Sequence, residues 1–274
     1  MDPVLILRGV LPPIVAAILL VSVGGSRLLA LAAGLGLYFS YAWLHGWPPW
    51  PHELWVEPSG NEWLLWAILT AALVATLERA GLLRTRVALA VAVAGACAST
   101  WLVLCKAAAH WSMSLAVLHV GAASLIAVLS VFAHRVVLRA APAGPAPAIL
   151  FTVVLSVDSV VLTLGSSALL GQLCGAAAAA LGAAAGTTLW RPFRLLTADG
   201  TWIGLAHALF IVAGVHLAYV GWPAAACALI APLTLCLRTR AVSPRAWMFA
   251  SSALVLGPLA GALCFAWFGS SSGY

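Results

Sequence analysis

Residues 149–170 read ILFTVVLSVDSVVLTLGSSALL, a run in which thirteen positions are Leu, Ile, Val or Phe and a single one, Asp158, is ionisable. A helix rises about 1.5 Å per residue, so the run is long enough to cross a hydrocarbon layer of about 30 Å. An acid at the middle of that layer costs roughly 3 kcal/mol, and large apolar residues contributing about 0.3–0.6 kcal/mol each outweigh it. The run reads as a transmembrane helix that carries an acid near its middle, about eleven residues from either end, and that acid needs a reason.

Outward from this helix the same rule, apolar runs of about 20 residues bounded by turn residues or charges, gives ten candidate spans. They are 3–23, 28–45, 62–80, 87–105, 113–133, 147–170, 172–190, 201–220, 223–237 and 246–268. The ninth is short and the seventh is mostly alanine. The expected fold is all-α, a polytopic integral membrane helix bundle of about ten transmembrane helices with short loops. The segment AAPAGPAPA at 140–148 divides the chain into halves, 1–139 and 147–274, but reads as an interhelical loop. One transmembrane domain, 1–274, is expected. The only internal echo is LRTR at 83–86 and 237–240, too short to mark a repeat.

The composition agrees. The 274 residues are 64% hydrophobic and 7% charged, and the mean hydropathy is +1.09. A soluble domain carries roughly 25% charge. The net charge of +6 does not indicate nucleic acid, because the basic residues stand singly or in short groups at the ends of apolar runs, where they act as topology signals. The six cysteines lie in or beside apolar runs without a C-x-x-C spacing, so neither a disulfide nor a zinc site is expected. The first 25 residues lack the basic start of a signal peptide and read as the first span.

Assigning loops alternately to two sides places Arg27, Arg79, Arg84, Arg86, Arg135, Arg139, Arg191, Arg194, Arg238, Arg240 and Arg245 on one side, and only Arg8 and Lys106 on the other. Cytoplasmic loops carry the basic excess. The expected orientation in a plasma membrane therefore has both termini non-cytoplasmic. Asp2, Glu53, Glu57 and Glu62 fall outside, Glu78 and Asp199 inside, and Asp158 alone is left within the membrane.

Chemistry is sought around that acid. Thr152, Ser156, Ser159, Thr163 and Ser166 recur at steps of three and four and form a polar stripe beside Asp158. One reading is a path for a proton, ion or polar solute, with Asp158, Ser156, Ser159 and Thr163 on it. The other is hydroxyls bonded back to their own helix and one interhelical bond for Asp158. Counted from the span ends, His207 lies slightly below Asp158 and His119 slightly above, and a carboxyl with an imidazole can exchange a proton near neutral pH. A cavity reaching Asp158 from one face favours the path. A carboxyl closed off by Leu and Val with a single bonded partner removes the carrier reading.

Three other segments stand out. GQLCGAAAAALGAAAGTT (171–188) spaces Gly171 from Gly175 and Gly182 from Gly186 by four, the pattern of close helix packing, and lacks the lysine of a phosphate-binding loop. HGWPPWPHELWVEPSGNEW (45–63) carries four tryptophans among His45, His52, Glu53 and Glu57. It suits an interfacial aromatic belt, and the stretch 46–61 also suits a contact with other membrane subunits; no second His stands at metal-ligand spacing, and no metal or cofactor is expected. Pro12, Pro13, Pro232 and Pro258 lie inside spans, where they free carbonyls.

Ten helices with tight loops in under 300 residues resemble the general build of small secondary carriers, but those usually keep both termini in the cytoplasm and none of their motifs occurs here. No family is assigned. The leading expectation is a carrier-like permease for a small solute, ion or proton, and the alternative is a non-catalytic scaffold or accessory subunit. A membrane enzyme is disfavoured because only loop carboxylates and histidines are available at the interface. The partner expected in every case is the lipid bilayer, with no nucleic acid.

Overall fold

The computed structural model describes residues 3–57, 59–190, 194–237 and 243–271. It is 85% helical without a strand among them. In chain order the helices are α1 (Pro3–Gly24), α2 (Leu29–His45), α3 (Pro51–Leu54), α4 (Gly60–Arg79), α5 (Thr85–Ala108), α6 (Met113–Ala140), α7 (Ala146–Leu164), α8 (Ala168–Gly186), α9 (Asp199–Leu217), α10 (Trp222–Leu233) and α11 (Pro244–Ser271). Eight helical runs are long and apolar enough to cross a membrane. The first of these, Leu7–His45, doubles back at Gly25, whose φ of 65° is open to glycine, so it supplies both α1 and α2. Together with the shorter Trp222–Cys236 segment, the elements match the ten expected spans in order. The protein is a polytopic helical membrane bundle.

Two boundaries differ most from the sequence reading, by six or seven residues. The span ending at 133 continues to Ala140, because buried positions recur at helical spacing through Ala127, Ser130, Val131, His134 and Leu138. The span ending at 170 stops at Leu164. There Gly165 and Ser166 turn the chain, with Ser166 left-handed at φ 76°, and the Ser167 hydroxyl accepts from the Leu170 amide to cap α8. Asp158 thus stands six residues from the end of its helix, not at its middle.

The bundle has two distinct ends. Arg79 of α4 pairs with Asp199 at the start of α9, and Gly144 bridges to Arg194, which gathers the loops after α4, α6 and α8. This is the arginine-rich end. At the other, the tryptophan-rich end, Trp66 Nε1 donates to the Pro49 carbonyl, and a Cβ on Gly60 would stand 2.5 Å from the Val103 carbonyl oxygen. Of the basic residues counted at the arginine-rich end, Arg191, Arg238 and Arg240 lie outside the described residues, as does Asp2.

Helix α9 is the core. It is apolar on nearly all faces, and residues from Asp199 to Gly214 are all buried. Its Gly200 and Gly204 let it cross α6 at close range: a Cβ on Gly200 would meet the Arg135 amide nitrogen at 2.6 Å, and one on Gly204 the Ser130 carbonyl oxygen at 2.7 Å. Ser130 Oγ donates to the Gly204 carbonyl at 2.8 Å across the same crossing. Helix α8 uses its small residues against α7 in the same way, with Gly171 and Gly175 facing Ser159 and Gly182 facing Thr152.

Candidate functional site

Asp158 projects from α7 towards α9, where His207 Nε2 stands 3.3 Å from its Oδ2; the two side chains are 0% and 1% exposed. That contact lies outside hydrogen-bond geometry, and both Asp158 oxygens and both His207 ring nitrogens have no other partner. The ring of His134, on α6, stands 5.5 Å from that of His207 and 5.1 Å from Phe151. His134 Nδ1 lies 2.8 Å from the Ser130 carbonyl oxygen, an acceptor only, so this nitrogen carries the hydrogen. The neutral ring then keeps a lone pair on Nε2, which is buried and unpartnered. On the other flank of Asp158 is the buried Cys174 of α8, whose Sγ donates to the Leu155 carbonyl at 3.3 Å.

Three helices therefore bring one carboxyl and two imidazoles together in a core that is otherwise Leu, Val, Ile and Ala. Buried polar groups are normally bonded, and each that is not calls for an explanation. A carboxyl and imidazoles at this range can hold and pass a proton, because each carries an atom able to bind one. They do not form a metal cluster: no group of three or more His, Cys, Asp or Glu side chains able to hold a metal is found among the described residues.

The hydroxyl stripe has other work. Ser159 Oγ donates to the Gly171 carbonyl of α8 at 2.6 Å, Thr163 Oγ1 to the Ser159 carbonyl at 2.8 Å, and Thr152 Oγ1 to the Ala148 carbonyl at 2.8 Å. Ser156 is exposed on the outside of the bundle. Thr152, Ser159 and Thr163 thus face the glycines of α8, while Ser156 does not. His119 is not at Asp158 either. It stands at the tryptophan-rich end with Trp111 (4.9 Å between ring centroids) and His216 (5.2 Å), because at that level α6 lies beside α9 and α10.

His134 lies one residue beyond the expected end of its span at 133, in the seven-residue extension of α6. The continuing apolar spacing of Val137 and Leu138 is the signal that marks it as buried. A second polar cluster was read as loop charge. Arg135 donates from both terminal nitrogens to the Glu78 carboxylate, at 2.8 and 2.7 Å, and to Thr201 Oγ1 at 2.7 Å. Arg79 pairs with Asp199 and donates to the Arg194 carbonyl at 2.7 Å. All four charged side chains are at most 7% exposed, so Asp158 is not the sole buried acid. This cluster locks α4, α6 and α9 at the arginine-rich end, one residue along α6 from His134.

No family model matches the chain, and no curated protein or solved structure is similar to it at a significant level.

Proposed function

We propose that the protein is a carrier-like permease that moves protons across the membrane, held here in a closed conformation, with Asp158, His207 and His134 as its proton-binding site. The observation that carries this reading is the set of unpartnered oxygens and nitrogens on Asp158, on the neighbouring His207 and on a second imidazole, His134. A carboxyl used only for packing would be expected to have its lone pairs met. The polar path of the sequence reading is narrowed accordingly: Ser159 and Thr163 serve the α7–α8 contact, and the proton site runs across α7, α9 and α6. In the plasma membrane the arginine-rich end faces the cytoplasm, by the basic excess in its loops. The exposed Trp47, Trp50 and Trp55 of the loop before α4 lie among lipid headgroups.

The accessory-subunit reading is favoured by one observation, the complete enclosure of Asp158. Proton movement separates the two. Purified protein in liposomes loaded with a pH-sensitive dye should dissipate an imposed pH gradient, and Asp158→Asn should reduce the rate at least about tenfold while leaving the thermal unfolding profile in place. Equal rates for the two proteins and for empty liposomes would remove the carrier reading.

A further inference from the structure

Between the α7–α8 turn, the α9–α10 turn and the last turns of α11 lies a cavity of about 520 Å³ at the tryptophan-rich end. Its rim holds the two non-glycine residues with left-handed backbone among the described residues, Ser166 (φ 76°) and Tyr219 (φ 56°). Such conformations persist only where the surroundings enforce them, and they gather at binding and gating positions. Apart from the Tyr219 phenol no ionisable side chain lines the cavity, while Ser166 and the turn backbone give it polar groups.

The cavity lies above the proton site on a single seam. Leu162 is one helical turn beyond Asp158 on the same face of α7, and Gly214 is two turns beyond His207 on the same face of α9. The side chains of Leu162 and Val220 converge on Gly214: a Cβ there would stand 2.5 Å from Leu162 Cδ2 and 3.2 Å from Val220 Cγ2. Val220 also lines the cavity. Leu162 and Val220 thus stand along this seam between the cavity and the acid–imidazole pair, Leu162 one turn from Asp158 on α7 and Val220 against Gly214, two turns from His207 on α9, whereas the arginine-rich side is closed by the buried ion pairs of Arg79 and Arg135.

We infer that this cavity is a water-filled vestibule from the tryptophan-rich face, and that Leu162 and Val220 form the septum through which Asp158 exchanges protons with that face. The inference rests on the proton-site reading for its role and on the cavity for its existence. Water and small uncharged polar solutes suit the lining, and a lipid acyl chain is the competing occupant.

The test uses the full chain in lipid nanodiscs with a charged, membrane-impermeant methanethiosulfonate, with labelling read site by site by peptide mass spectrometry so that the native cysteines do not interfere. Leu164→Cys and Ala266→Cys, in the cavity wall, should react at least about tenfold faster than Val160→Cys, which is more exposed but faces the hydrocarbon, where a charged reagent does not partition. Equal rates at all three would mean acyl chains fill the cavity and would overturn the inference. In liposomes Ala266→Trp, which fills the cavity, should slow proton flux as Asp158→Asn does. Flux lost in Asp158→Asn but kept in Ala266→Trp would overturn the vestibule and leave the proton site standing. Fast labelling of both wall positions in a protein that moves no protons would uphold the vestibule and remove the carrier.

Discussion

At the scale of single residues the balance is between desolvation and pairing. Among the described residues the Arg135–Glu78 pair and the Asp158–His207 pair differ in how completely their hydrogen bonds are met, whereas Arg79–Asp199 lies between them, with Arg79 Nε and Asp199 Oδ1 unpartnered. Arg135 gives Glu78 a two-pronged contact and reaches Thr201 besides, which is the arrangement that best offsets the cost of burying charge. Removing one partner strands the other, so Arg135→Ala is expected to lower stability by about 3–5 kcal/mol, and Arg135→Lys by less, since it keeps the charge and loses the fork. Thermal unfolding in detergent measures both; an Arg135→Ala protein as stable as the parent would show that Glu78 is hydrated. Asp158 and His207 lack that full set of partners. Replacing a poorly bonded buried pair with apolar side chains is often neutral or stabilising by about 1–4 kcal/mol, so Asp158→Leu combined with His207→Leu should fold at least as stably as the parent while losing proton movement. A double variant that loses stability instead would make the pair a structural element.

At the scale of elements the close crossings decide the site. His134 and His207 come within 5.5 Å because α6 and α9 approach at Gly200 and Gly204, where no side chain holds the backbones apart. Gly204→Val must push the helices apart, at a cost of about 1–3 kcal/mol or more, and should also reduce proton movement by separating the imidazoles. Gly121→Ala, on α6 with nothing within 4 Å of the added carbon, should stabilise by about 0.5–1 kcal/mol through helix propensity alone. Unfolding temperatures of the two variants compared with the parent check the contrast. Equal and opposite shifts are not required; a neutral Gly204→Val would refute the close crossing. The α7–α8 pair follows the same rule, and there the four-residue spacing of Gly171 and Gly175 is legible in the sequence, whereas Gly200 falls at the loop edge beside Asp199 and Gly204 inside the span 201–220, a pair not singled out.

At the scale of the whole molecule the even number of passes puts Pro3 and Ser271, the first and last described residues, at the same tryptophan-rich end. Reporter tags at the two chain ends should therefore fall on one side of the membrane and a tag at 141–145 on the other, with the chain ends non-cytoplasmic if the arginine bias governs insertion. Ends on opposite sides would contradict the bundle; both ends cytoplasmic would reverse the orientation. Arg79 and Arg135 contributed to that bias in the sequence, yet in the folded protein their guanidinium groups are buried in ion pairs. The same charge can steer insertion of a nascent helix and later lock the finished bundle.

The amino-acid order by itself determined the membrane class, the ten helices in sequence and the presence of an acid among apolar residues, because hydrophobic length and charge placement act locally along the chain. The length of α6 and the early stop of α7 were legible in part, through spacing that continues past His134 and the Gly-Ser turn after Leu164. The sequence offered His207 and His119 as neighbours of Asp158, and only the tertiary structure chose His207 between them and brought His134 against the His207 ring. Depth counted from span ends gives height in the membrane but not azimuth, and neighbours are chosen by which helix faces can approach. Small residues at the crossings make that choice, and it becomes visible only when the helices are packed.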